Sequence, residues 1–108
     1  MNNTELCEHM ATKMSKYPNL TQHKTLIKSG GNEGKVRHHG LKSSVVASTV
    51  WFEAKPSFKL FTVKATGGWN KFNTSLRSLA INTGDSNGYE LHYFPLDYID
   101  KVLDILAE

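Results

Sequence analysis

The alternation of apolar and polar positions divides the chain into helical and extended stretches. Leu6, Met10 and Met14 recur four residues apart and are joined by Tyr17, a spacing that places them on one face of a helix. Asn2 or Asn3 can cap its start, Glu5 or Glu8 falls in the opening turns where the helix dipole favours negative charge, and Tyr17-Pro18 ends it. Lys24 to Lys28 reads as a short strand. Residues from Ser29 to about Lys42 include Gly30, Gly31, Gly34 and Gly40 among charged side chains, and read as a flexible, basic, Gly-rich loop. The β-branched and aromatic run from Ser43 to Phe52 predicts a strand. Lys55-Pro56-Ser57 is expected to turn the chain, and Phe58 to Ala65 to return it, giving a hairpin over about 43–65. Phe58 and Leu60 oppose Phe61 and Val63, so both faces are apolar and the hairpin is expected at the centre of a sheet, under a helical layer on at least one side.

Phe72, Leu76 and Leu79 repeat at helical spacing and predict a helix over about 70–82, stopped by Gly84. Asp85-Ser86-Asn87-Gly88 reads as a turn. Beyond it, Tyr89, Leu91 and Tyr93 alternate with Glu90, His92 and Phe94 in a strand over about 89–94. Pro95 fits a first helical turn, and Leu96, Ile99, Val102, Leu103 and Leu106 oppose Asp97, Asp100, Lys101 and Asp104 in a final helix over about 95–107. The order of helix, short strand, hairpin, helix, strand and helix predicts an α+β fold: a single small domain whose largely antiparallel sheet is packed by three helices. Nothing in the chain reads as an internal repeat or an interdomain linker.

Composition agrees with a folded domain. The chain has 108 residues, 39% of them hydrophobic and 21% charged, enough apolar surface to offset chain entropy. Cys7 is the only cysteine, so no intramolecular disulfide can form and a reducing cytoplasm is favoured. The sequence starts without a basic leader followed by an apolar run. No stretch approaches the ~20 apolar residues that cross a bilayer, so neither export nor membrane insertion is expected.

Charge changes the picture more than composition does. The net charge of +3 resolves into −2 over residues 1–8, +10 over residues 9–84 and −5 over residues 85–108. Several constellations in the basic middle invite chemical readings. Gly30-Gly31-Asn32-Glu33-Gly34-Lys35-Val36 lacks the gap and the hydroxyl residue of a phosphate-cradling loop, and reads as a connection able to make non-specific anion contacts. His38-His39 has no Cys or carboxylate at zinc-site spacing, so no metal is expected. Glu53-Ala54-Lys55 matches the E-x-K part of the pattern found in many magnesium-dependent nucleases, but its companion carboxylate is missing. Ser43, Ser44, His92 and Asp97 fall on separate elements, which leaves hydrolase chemistry unsupported. Arg37, His38, His39 and His92 could serve a metal-free ribonuclease, whose groups need no fixed spacing.

The basic and aromatic residues of the middle suit nucleic acid, since cations release counterions from phosphates and aromatic rings stack on unpaired bases. The residues expected to contact nucleic acid or another anion are Lys35, Arg37, His38, His39, Lys42, Lys55, Lys59, Trp69, Lys71 and Arg77. The function expected is a non-enzymatic, nucleic-acid-binding or nucleic-acid-associated accessory factor of the cytoplasm, without a cofactor. The alternative is a protein-interaction module or small inhibitor that docks its basic face on an acidic partner, because an acidic protein presents the same sign of charge as DNA or RNA. A small nuclease is the third reading.

Overall fold

The computed structural model describes residues 1–108. Its helices are α1 (Asn3–Ala11), α2 (Asn73–Leu79) and α3 (Ile99–Leu106), and its strands are β1 (Leu20–Leu26), β2 (Val36–Ser43), β3 (Val50–Lys55), β4 (Leu60–Lys64), β5 (Asn82–Ser86) and β6 (Tyr89–Pro95). The six strands form one sheet in the order β1-β2-β3-β4-β6-β5, every neighbouring pair antiparallel. This is the α+β architecture expected, with the β3–β4 hairpin at its centre.

The first helix starts for a local reason. Asn2 caps α1: its side chain accepts from the Glu5 amide at 2.9 Å while the Glu5 carboxylate accepts from the Asn2 amide at 3.2 Å. Leu6 and Met10 of α1, Leu76 of α2, and Val102, Leu103 and Leu106 of α3 share one core with Leu41, Val50, Phe52, Ala54, Phe61, Val63 and Phe94. Those strand residues alternate and lie in register, as in Ala54 opposite Phe61 and Phe61 opposite Phe94, so all three helices cover the same face of the sheet. The helical layer is tied down at its far end, where the Tyr17 hydroxyl donates to Asp104 at 2.6 Å. That bond, with burial, pushes the Tyr17 phenol up to about 12. Lys13 pairs with Asp100 at 3.0 Å, which holds the Asp100 carboxyl below the usual range.

The structure corrects several expected boundaries. The flexible loop over 29–42 is shorter: its second half is β2, in which Val36, His39 and Leu41 face the helices and the polar residues between them face away. Glycine and charge concealed that strand, and β1 begins at Leu20 rather than Lys24. The strand expected from Ser43 begins only at Val50, because the Ser43 hydroxyl accepts from the amides of Val45 and Val46 and turns the chain, leaving Val45 82% exposed. Phe58 lies in a short helical turn, exposed, and Lys59 after it is left-handed at φ 55°. The helix expected over 70–82 is a 3₁₀ stretch followed by α2, and residues 82–86 are β5 instead. Asn87 and Gly88 both have positive φ, 54° and 86°, the geometry of a two-residue turn that closes an antiparallel hairpin, so the chain before the turn pairs with the chain after it.

Candidate functional site on the open sheet face

The face of the sheet turned away from the helices carries no second layer. It presents Thr21, His23 and Thr25 of β1, His38 and Lys42 of β2, Trp51, Glu53 and Lys55 of β3, Leu60, Thr62 and Lys64 of β4, and Tyr89, Leu91 and Tyr93 of β6. A cleft of about 370 Å³ opens on this face. Arg37 and His38 line it from β2, Trp51 and Glu53 from β3, Thr62 and Lys64 from β4, and Leu91 and Ser86 from the β5–β6 hairpin.

Two irregularities in β2 make the cleft. The register shifts between Thr25, which pairs with His38, and Leu26, which pairs with Val36, so Arg37 is an extra residue in a β-bulge and lines the cleft together with His38. β2 and β3 then pair only from His39 opposite Phe52 to Leu41 opposite Val50. Below that point a side chain replaces the missing rung. Asn3, in the first turn of α1, accepts from the Ala54 amide at 2.7 Å and donates to the Arg37 carbonyl at 3.4 Å, so it bridges the parted strands and lines the cleft.

The aromatic part of the site depends on a glycine. His23 and Trp51 stand on either side of Gly40 in the register, two strand spacings or roughly 10 Å apart along the hydrogen-bonding direction. Their rings nevertheless meet edge to face at 5.8 Å, because Gly40 puts no side chain between them. A Cβ at Gly40 would lie 2.1 Å from the Val50 carbonyl oxygen, so the close β2–β3 approach also demands glycine. The His38 ring packs edge-on to Trp51 from the other side at 6.3 Å.

The cations expected to act together are divided by the fold. Arg37 and Lys42 lie on the open face with Lys64, and none of these three side chains has a hydrogen-bond partner in the chain. Lys55 shares that face but pairs with Glu53 at 3.2 Å through Oε1, leaving Oε2 of the carboxylate without a bond. Lys59 sits in the adjoining turn. Lys35 is exposed in the β1–β2 turn and donates to Asn32 at 3.3 Å. On the helical side, Lys71 lies over the Phe72 ring at 5.0 Å, and Arg77 is held by both oxygens of Glu90 at 3.0 Å each. Glu90 also accepts from His92, and its carboxyl is held below the usual range chiefly by Arg77.

Two expected contact residues are not accessible at all. Trp69 is fully buried in the core, its indole Nε1 donating to the Ser48 carbonyl at 2.7 Å. His39 is fully buried and stacked on Phe52 at 5.8 Å, and burial pushes its imidazole down to about 4. His92 is also fully buried, which removes it from a surface ribonuclease site. No three His, Cys, Asp or Glu side chains converge around Glu53. Cys7 is buried on the inner side of α1, and burial pushes its thiol up, away from nucleophilic reactivity.

Trp51, Lys64 and Glu53 belong to the site although they were absent from the expected contact set. The signal for the first two lay in the alternation itself: if Phe52 and Val63 face the helices, Trp51 and Lys64 must face away. No protein-family model, no curated protein and no solved structure matches the chain. No helix is long and apolar enough to cross a membrane.

Proposed function

We propose that the open sheet face binds single-stranded nucleic acid. The observation that carries this reading is the meeting of two cations free of internal partners, Arg37 and Lys64, with the half-buried Trp51 around one cleft, with a third such cation, Lys42, farther along the same face. Glu53 is the one acid lining the cleft, and further acidic side chains lie on α1 and α3. Lys and Arg neutralise phosphates, and an aromatic ring on a sheet surface stacks on an unpaired base whatever its identity. The site is recessed and supported by strands, which suits a flexible single strand better than a rigid duplex.

The test is a titration of a fluorescein-labelled single-stranded oligonucleotide at about 50 mM salt, where phosphate-driven binding is strongest. Binding that quenches the emission of Trp51, read against W51F, is the expected result. No binding at that salt concentration ends the proposal. The apolar half of the face, with Leu60, Leu91, Tyr93 and the 40% exposed Tyr89, supports the second reading, an acidic protein partner. That reading predicts a partner retained after nuclease digestion.

A further inference from the structure

The cleft contains one residue that a phosphate-binding surface does not need. Glu53 is the only acid among the residues lining it, and a carboxylate there repels the phosphates that Arg37 and Lys64 attract. Its Oε1 is engaged by Lys55 and its Oε2 is free. On the neighbouring strand His38 lines the same cleft, one residue beyond the last β2–β3 pair, His39–Phe52, and its ring nitrogens have no partner in the chain. One cleft thus brings together a carboxylate, an imidazole, a guanidinium and an ammonium, with a tryptophan beside them.

We propose that this cleft cleaves RNA without a metal ion. The proposal rests on the reading of the open face as a nucleic-acid surface and adds a reaction to it, so that the non-enzymatic role expected from the sequence gives way to catalysis. Proton transfer by a placed acid and base, and stabilisation of the charge that builds up on phosphorus-bound oxygens, are the two contributions that phosphodiester cleavage requires. Oε2 of Glu53 takes the proton from the ribose 2′-hydroxyl as that oxygen attacks the adjacent phosphorus. The bond from phosphorus to the 5′-oxygen breaks, and protonated His38 delivers its proton to the leaving oxygen. Arg37 and Lys64 hold the non-bridging oxygens while they carry the extra negative charge. The products are a 2′,3′-cyclic phosphate and a free 5′-hydroxyl, and no oxidant or cofactor is consumed. The substrate class is fixed by the 2′-hydroxyl: DNA has no internal nucleophile and binds without reacting.

Arg37, His38, Glu53 and Lys64 all project from strands, and the His38 ring is steadied edge-on by Trp51 at 6.3 Å, so the groups sit on a rigid support. The pairing with Lys55 engages Oε1 of Glu53 and leaves Oε2 open to the cleft.

The experiment uses the full chain in excess chelator, with a 5′-labelled single-stranded RNA of mixed sequence and the same sequence bearing 2′-O-methyl groups. The expected result is cleavage of the RNA to products ending in cyclic phosphate, with the 2′-O-methyl strand bound and intact. E53Q and H38A should each slow cleavage by about 10²- to 10⁴-fold, the usual contribution of a general acid or base. E53Q should bind the 2′-O-methyl strand as tightly as the parent or more tightly, since it removes the repelling charge. K71A, on the other side of the molecule, should change neither quantity. Binding of both strands without cleavage overturns the catalytic proposal and leaves the binding proposal standing. Equal cleavage by the parent, E53Q and H38A also overturns it, since the activity then lies outside the cleft. Failure to bind either strand overturns both.

Discussion

The two faces of the sheet treat the same residue types in opposite ways. His38 and His39 are adjacent in sequence; His39 is sealed between Phe52 and the helical layer with neither ring nitrogen bonded, whereas His38 lies in the open cleft. Trp69 and Trp51 repeat the contrast: one is fixed in the core by a hydrogen bond to Ser48, the other lies across the open face between two histidines. Arg77 and Arg37 show it in charge, the first spent on Glu90, the second unspent. Under the helices a polar group needs an internal partner or is pushed to its neutral form. On the open face Arg37, Lys42 and Lys64 stay free to act on a ligand, and only Lys55 is drawn off, by Glu53.

Replacing the two tryptophans gives the largest effect and the sharpest test of the contrast. W69A should lose about 3–5 kcal/mol in urea unfolding, from the cavity left in the core, with the Ser48 carbonyl also deprived of its donor. W51A should lose about 1 kcal/mol of stability. Oligonucleotide affinity should respond in the reverse order, falling for W51A by the ~1–3 kcal/mol that one stacked base contributes. Equal loss of stability in the two variants would break the distinction between covered and open faces.

His39 gives the next effect, and it depends on pH. Its folded-state value of about 4 lies below the ordinary value of 6.5, so burial favours the neutral ring. Its full contribution to stability is therefore present above pH 6.5 and is lost as pH falls toward 4. At about 1.4 kcal/mol per pH unit, the total lost is about 3 kcal/mol. The difference in unfolding free energy between the parent and H39L, measured from pH 7 to pH 4, should follow that slope. At pH 7 H39L should be the more stable by about 1 kcal/mol, because two unbonded ring nitrogens leave the core.

The core side of this contrast was largely legible from the sequence, and the open side was only partly so. The apolar stripes of Leu6 and Met10 and of Val102, Leu103 and Leu106 carry enough periodic signal to specify buried helices. The alternation of Tyr89, Leu91 and Tyr93 with Glu90, His92 and Phe94 likewise gave the correct faces of β6. β2 was hidden because its buried positions include a histidine and a glycine, residues that composition assigns to loops. β5, Asn-Thr-Gly-Asp-Ser, has no apolar residue at all; it is a strand because the Asn87-Gly88 turn folds it against β6. Five of the ten expected contact residues, Arg37, His38, Lys42, Lys55 and Lys59, lie on the open face or its adjoining turn. Trp69, Lys71 and Arg77 fit a nucleic-acid surface by residue type alone, since sequence spacing cannot show that a tryptophan's N–H has found a carbonyl or that an arginine is already paired.

The parted strands of the cleft offer a test of intermediate size. N3A removes the acceptor of the Ala54 amide and the donor to the Arg37 carbonyl. An unsatisfied, partly buried amide costs about 1–3 kcal/mol, and the Ala54 amide should exchange its hydrogen faster than its neighbours in β3. If N3A is neutral and Ala54 stays protected, the side-chain rung does not hold the cleft open.

The smallest effect is the most diagnostic, because it counts ions rather than contacts. Each phosphate neutralised on a single strand contributes about −0.7 to the slope of log affinity against log salt, so Arg37, Lys42 and Lys64 together predict a slope of about −2. R37A and K64A should each flatten it by about 0.7, uniformly across sequences. R77A should leave it unchanged, since that guanidinium is already held by both oxygens of Glu90. A flattened slope in R77A equal to that in R37A would mean that charge acts diffusely over both faces. The open face would then have no claim to be the binding surface beyond its shape.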